Sequence, residues 1–146
     1  MEDIKKKHQI EQLNLTTLDG NTLSIGKGSS KPTLLLFFTT VCSSCQKAAP
    51  AISKQLEPLK EHLQLVAVGR EHSEEELIVW AKENKLVFHL VADPERQLFA
   101  RFAKMHVPRI YLIDTDGRVK YQDVNWHPLM LGDIQDAVYQ LLQKNV

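Results

Sequence analysis

The residues of this chain whose type and spacing can do chemistry are two cysteines, Cys42 and Cys45, in the stretch "TLLLFFTTVCSSCQKAAP" that runs from 33 to 50. Two thiols with two residues between them can close a disulfide and exchange it with another thiol pair. The same spacing is half of a tetrahedral zinc site, which needs four ligands. No second cysteine pair exists, and the six histidines (His8, His62, His72, His89, His106 and His127) include no H-x₃₋₅-H pair, so structural zinc is disfavoured. Transient copper or haem handling by the dithiol, a non-enzymatic role, stays open on ligand count.

The elements around the pair decide how it is presented. "TLLLFF" is a continuous apolar run, as a central strand covered on both faces requires. From Cys45 on, Ala48, Ala49, Ile52, Leu56, Leu59 and Leu63 follow a 3.6-residue period and predict a helix of about five turns, kinked at Pro50. A strand-to-helix turn therefore puts Cys42 at a helix N-terminus, where free N–H groups and the helix dipole favour an anion. The thiolate is the nucleophile in exchange, so this position activates Cys42 as the exposed attacking thiol. Cys45, one helical turn on, becomes the more buried resolving thiol.

Beyond this segment, "IEQLNLTTLDGNTLSI" alternates about Asp19-Gly20-Asn21 and predicts a β-hairpin. "LQLVAVG" and "LVFHLVA" predict buried strands. "SEEELIVWAKENK" predicts a helix with Ser73 and Glu76 as a capping box. "DPERQLFARFAKM" predicts a further helix with Pro94 at its first position after Asp93. "VPRIYLIDTDGRVKYQDV" predicts two strands about an Asp116-Gly117 turn, and a last helix carries Ile134, Ala137, Val138, Leu141 and Leu142 on one stripe. Strands alternating with helices imply an α/β sandwich with a mainly parallel sheet and an antiparallel end.

The 146 residues fit one domain, 1–146, with 1–8 (containing "KKK") expected as a flexible, solvated tail. Basic and acidic residues balance at 18 each, which argues against nucleic acid or an anionic membrane as partner. No stretch approaches the ~20 apolar residues of a membrane-spanning helix. "MEDIKKKHQIEQ" has no apolar h-region, so these residues are expected to hold no secretory signal. That reads either as a cytoplasmic protein or as one whose signal or anchor lies outside this chain. Two cysteines are too few for a disulfide framework and report on chemistry instead.

The segments "FFTTVCSSCQKAAP" and "MHVPRIYLIDTDGRV" together resemble the two signatures of the thioredoxin superfamily: strand, CxxC and kinked helix, then an apolar residue before a cis-proline, a strand and an "IDxDG" turn. With the N-terminal hairpin and the inserted α-β element, the chain is similar over about 10–145 to the TlpA/ResA-like branch and its AhpC/TSA-type relatives. The resemblance implies a thioredoxin-like three-layer α/β/α sandwich with a central mixed sheet. It implies a cis Val107-Pro108 bond whose loop packs beside the cysteines and pairs with an extended substrate peptide. It also implies an oxidoreductase of protein disulfides that acts as a reductant in the cell envelope, in cytochrome c maturation or in general disulfide reduction. The site would use no cofactor beyond a redox-active Cys42–Cys45 disulfide and no metal. Its partners would be a protein substrate and an upstream redox protein, and the domain itself would be a monomer.

Departures from that pattern point to modulators. Val41 replaces the tryptophan usual before the first cysteine, and Leu36 replaces the buried acid that serves as proton acceptor for the second. Ser43-Ser44 is the central dipeptide, His106 stands two before the proline, and Arg109 takes the place of the common threonine. If the proline loop flanks Cys42, a protonated His106 would favour its thiolate, whereas a purely shielding role is the simpler reading. Trp80 reads as packing, and Trp126-His127-Pro128 as a surface turn. A peroxiredoxin-like peroxidase is the alternative activity, although Thr39 alone fits that family's P-x-x-x-T-x-x-C motif.

Overall fold

A computed structural model describes residues 3–144. Its centre is β3 (Thr33–Phe38), the apolar run, whose six residues are all buried. Burial on both faces follows from its place in a five-stranded sheet: β3 lies between β4 (Gln64–Arg70) and β6 (Arg109–Ile113), with β5 (His89–Asp93) and β7 (Val119–Val124) at the edges. β3, β4 and β5 run parallel, while β6 and β7 are antiparallel additions. The N-terminal hairpin, β1 (Leu13–Thr16) and β2 (Thr22–Ile25), forms its own two-stranded sheet.

Alternation along β3 feeds two cores. Leu34, Leu36 and Phe38 face a layer built from α1 (Ser43–Leu56), α2 (Glu74–Asn84) and α3 (Met130–Lys144), while Leu35 and Phe37 face the hairpin residues Leu13, Leu15 and Ile25 with Phe99 and Phe102. α1 buries Cys45, Ala48, Ala49, Ile52 and Leu56 at helical spacing, and Pro50 within it removes one backbone donor. It is shorter than its periodicity implies: at Leu56 the chain passes into a 3₁₀ turn, Glu57–Leu59, with Pro58 inside it. Ser73 and Glu76 close the capping box of α2.

The helix expected from Asp93 onward does not form. Instead of capping it, the buried Asp93 carboxylate accepts the backbone N–H groups of Leu98 at 3.1 Å and Phe99 at 2.8 Å, and Arg96 turns left-handed at φ +60°. A residue in that region interrupts a right-handed helix. Only the 3₁₀ turn Phe99–Arg101 remains, so this turn and the hairpin together make the second outer layer. Residues 3–8, expected as a flexible tail, are tied to the body: Ile4 N–H donates to Phe102 C=O at 2.7 Å, Lys7 N–H to Val119 C=O at 2.8 Å, and Val119 N–H to His8 C=O at 2.9 Å.

Candidate active site

Cys42 is the N-cap of α1. Its backbone is extended (φ −82°, ψ 119°), and its sulfur accepts the N–H of Cys45 at 3.2 Å. A sulfur thus fills the place that a serine or aspartate oxygen usually takes at an N-cap. One turn on, Cys45 is fully buried, in the same core cluster as Leu36, Phe38 and Ile110. Burial pushes its thiol well above the ordinary value of 9.0, and its hydrogen bond to Cys42 acts in the same direction. Val41, on the other side of Cys42, is 84% exposed. Ser43 is exposed and Ser44 half-buried, so the dipeptide lies at the rim of the pair.

The second half of the site arrives through the sheet. Phe37 on β3 is in register with Arg109 on β6, which brings the residues before β6 level with the turn after β3. The Val107–Pro108 peptide bond is cis, and the Cys42 thiol donates to the Val107 carbonyl at 3.7 Å. Arg109 is buried. Its Nη2 donates to Met105 C=O at 2.6 Å, its Nε donates to His106 C=O at 3.3 Å, and Asp3 stands 3.6 Å from Nη2. Rather than pointing at substrate, Arg109 grips the loop from beneath. His106 is exposed and left-handed at φ +77°, and its imidazole makes no hydrogen bond to either sulfur. The loop after β7 also borders the site, beyond its reading as a surface turn: Asn125 N–H donates to Pro108 C=O at 2.8 Å, and Trp126, Val107 and Cys42 pack on the cluster that holds Cys45.

The model of the AhpC/TSA family matches residues 7–122. The chain belongs to the AhpC/TSA family. It is 29% identical over 125 residues to the thioredoxin-like protein YneN of Bacillus subtilis, covering 84% of this chain and 72% of that one. It is 27% identical over 110 residues to the sporulation thiol-disulfide oxidoreductase A of the same organism, covering 73% of this chain and 66% of that one. The crystal structure of StoA from Bacillus subtilis superposes with a TM-score of 0.73 at 21% identity, over 88% of this chain and 96% of that one. This AhpC/TSA chain therefore has the thioredoxin-like α/β fold.

Two features of this family member escape sequence reasoning. His72 is buried against the turn that leads to Cys42, and its Nε2 accepts the N–H of Thr40 at 2.9 Å. The only available signal was its place just past β4, at the same sheet end as the cysteine turn. Among the described residues, Asp123, His127 and Asp133 also bring ligand-type atoms within 4.8 Å of one another. Asp123 there already accepts from the Tyr121 hydroxyl at 2.5 Å and pairs with His127 at 2.6 Å, and the group includes neither cysteine. No helix of the described residues is long and apolar enough to cross a membrane.

Proposed function

We propose that the chain exchanges thiols and disulfides with protein substrates, with Cys42 attacking and Cys45 resolving, and that it works as a reductant in the cell envelope. The observation that carries this reading is the unequal placing of the two sulfurs. Cys42 sits at the helix N-terminus with its thiol against the Val107 carbonyl, and Cys45 is sealed in the core one turn away.

In the forward reaction the Cys42 thiolate attacks one sulfur of a substrate disulfide, whose S–S bond breaks, and the departing substrate thiolate takes a proton. Cys45 then gives up its proton and attacks Cys42 Sγ. The Cys42–Cys45 bond forms, the mixed disulfide breaks, and the second substrate thiol leaves. The substrate has gained two electrons, and a dithiol protein upstream must return them to the pair. The backbone of Val107 at the cis-proline is the natural rail for the extended substrate segment, and Val41 is exposed where that segment would lie. Burial keeps Cys45 a neutral thiol, so it resolves the mixed disulfide only after giving up its proton.

An insulin-reduction assay with a dithiol donor tests the reading. The wild-type chain should turn over, Cys42→Ser should be inactive, and Cys45→Ser should accumulate a mixed disulfide with substrate that is visible by mass. Full turnover by Cys42→Ser would overturn the assignment. For the reducing direction, the Cys42–Cys45 potential against glutathione should fall near that of thioredoxin, about −270 mV, and far from about −120 mV.

A further inference from the structure

His72 is one of the few buried polar residues of the chain, and the roles of the two cysteines do not use it. A backbone N–H can only donate, so the bond from Thr40 N–H to His72 Nε2 at 2.9 Å makes Nε2 an acceptor. The proton of a neutral ring must then sit on Nδ1, where it donates to Glu76 Oε2 at 3.0 Å. That carboxylate is itself held. Its other oxygen accepts from the backbone N–H of Ser73 at 3.2 Å and the Ser73 hydroxyl at 3.1 Å, within the capping box that starts α2. One carboxylate thus caps a helix and orients an imidazole at once.

The chain held by that imidazole is the turn between β3 and Cys42. His72 fixes the N–H side of Thr40, and Gln46 Nε2, from the first turn of α1, donates to Thr40 C=O at 2.9 Å. Both peptide units flanking Thr40 are therefore pinned, two residues before the attacking sulfur. A misplacement of about 1 Å at a reacting group can cost about 10²-fold in rate. We infer that His72, oriented by Glu76, is a positioning residue that holds the Thr40 turn so that Cys42 meets a substrate disulfide in line. This inference rests on the dithiol reading above and deepens it.

The experiment uses the full reduced chain and three readouts: the rate at which iodoacetamide modifies Cys42, the single-turnover rate with insulin, and the Cys42–Cys45 potential against glutathione. Gln can present an oxygen near the position of Nε2, and Leu cannot. His72→Leu should lose about tenfold or more in both rates and shift the potential, whereas His72→Gln should stay within about threefold of wild type, both being assayed well below their unfolding midpoints. In wild type, ¹⁵N shifts of the ring should show the neutral Nδ1–H form. If His72→Leu fails to fold, Glu76→Gln takes its place. A single amide oxygen cannot serve both Ser73 and His72, so a fall of about threefold or more and loss of the Nδ1–H form are expected.

Equal rates in His72→Leu and His72→Gln, or an Nε2–H ring in wild type, would overturn the positioning role while leaving the dithiol reading intact. In the Glu76→Gln arm, unchanged rate and tautomer would do the same. Absence of any glutathione-reversible Cys42–Cys45 disulfide in wild type would remove the dithiol reading and this inference with it.

Discussion

At the scale of the residue, the two cysteines differ by environment and not by type. The Cys42 sulfur meets a helix N–H and a loop carbonyl at the site's rim, whereas Cys45 is surrounded by Leu36, Phe38 and other apolar side chains. Iodoacetamide at neutral pH should therefore modify Cys42 at least about tenfold faster than Cys45, as peptide mass mapping would show. The raised Cys45 thiol also makes the stability of the reduced protein depend on pH. Above about pH 9 the unfolded chain ionises this thiol and the folded chain does not, so the unfolded state binds fewer protons and stability falls as pH rises. Urea midpoints between pH 8 and 10 should decline more steeply for reduced wild type than for Cys45→Ser. The spacing of the cysteines was legible in the sequence because it is local. The carbonyl of Val107 against Cys42 lies 65 residues away, and only the cis-proline signature pointed to it.

At the scale of the element, α2 shows how little local pattern can reveal about placement. It buries only Leu77, and that side chain lies over Gly69 of β4, where an added Cβ would come within 2.3 Å of Leu77 Cδ2. The missing side chain lets α2 settle close on the sheet. Gly69→Ala should lower the unfolding free energy by about 1–3 kcal/mol, measured in urea, through forced repacking of Leu77. The His72 hydrogen bond, with those from Ser73, holds the Glu76 carboxyl below the ordinary carboxylate range. Its contribution is present above the usual carboxylate pKa and is lost as pH falls through the depressed value, so the start of α2 should loosen in acid. The capping box was readable in "SEEE" because its partners are three residues apart. The helix expected from "DPERQ" failed because the buried Asp93 carboxylate captures N–H groups five and six residues on instead of opening a helix.

At the scale of the whole molecule, the site is assembled from distant stretches that the five-stranded sheet brings to one end. Arg109 illustrates the dependence. It is buried at the start of β6, holds the carbonyls of Met105 and His106, and reaches Asp3 near the N-terminus. Arg109→Met should cost about 1–3 kcal/mol of stability, because the carbonyls of Met105 and His106 and the Asp3 carboxylate lose a charged donor. Under conditions where it stays folded, it should raise KM for insulin more than it lowers kcat, since it loosens the loop proposed to hold the substrate and leaves the cysteines in place.

The sequence by itself determined most of the elements and the dithiol. Apolar period, turn residues and a CxxC at a strand-to-helix turn act over a few residues, and chain geometry alone carries them. The register of the pair on the helix already marked Cys45 as the more buried thiol, and only the tertiary structure decided what holds the active turn. The grip of His72 on Thr40 and the reach of Arg109 to Asp3 arise from strand order and from close approach in the folded chain. Those contacts join residues tens of positions apart, and their partners cannot be read from spacing along the chain.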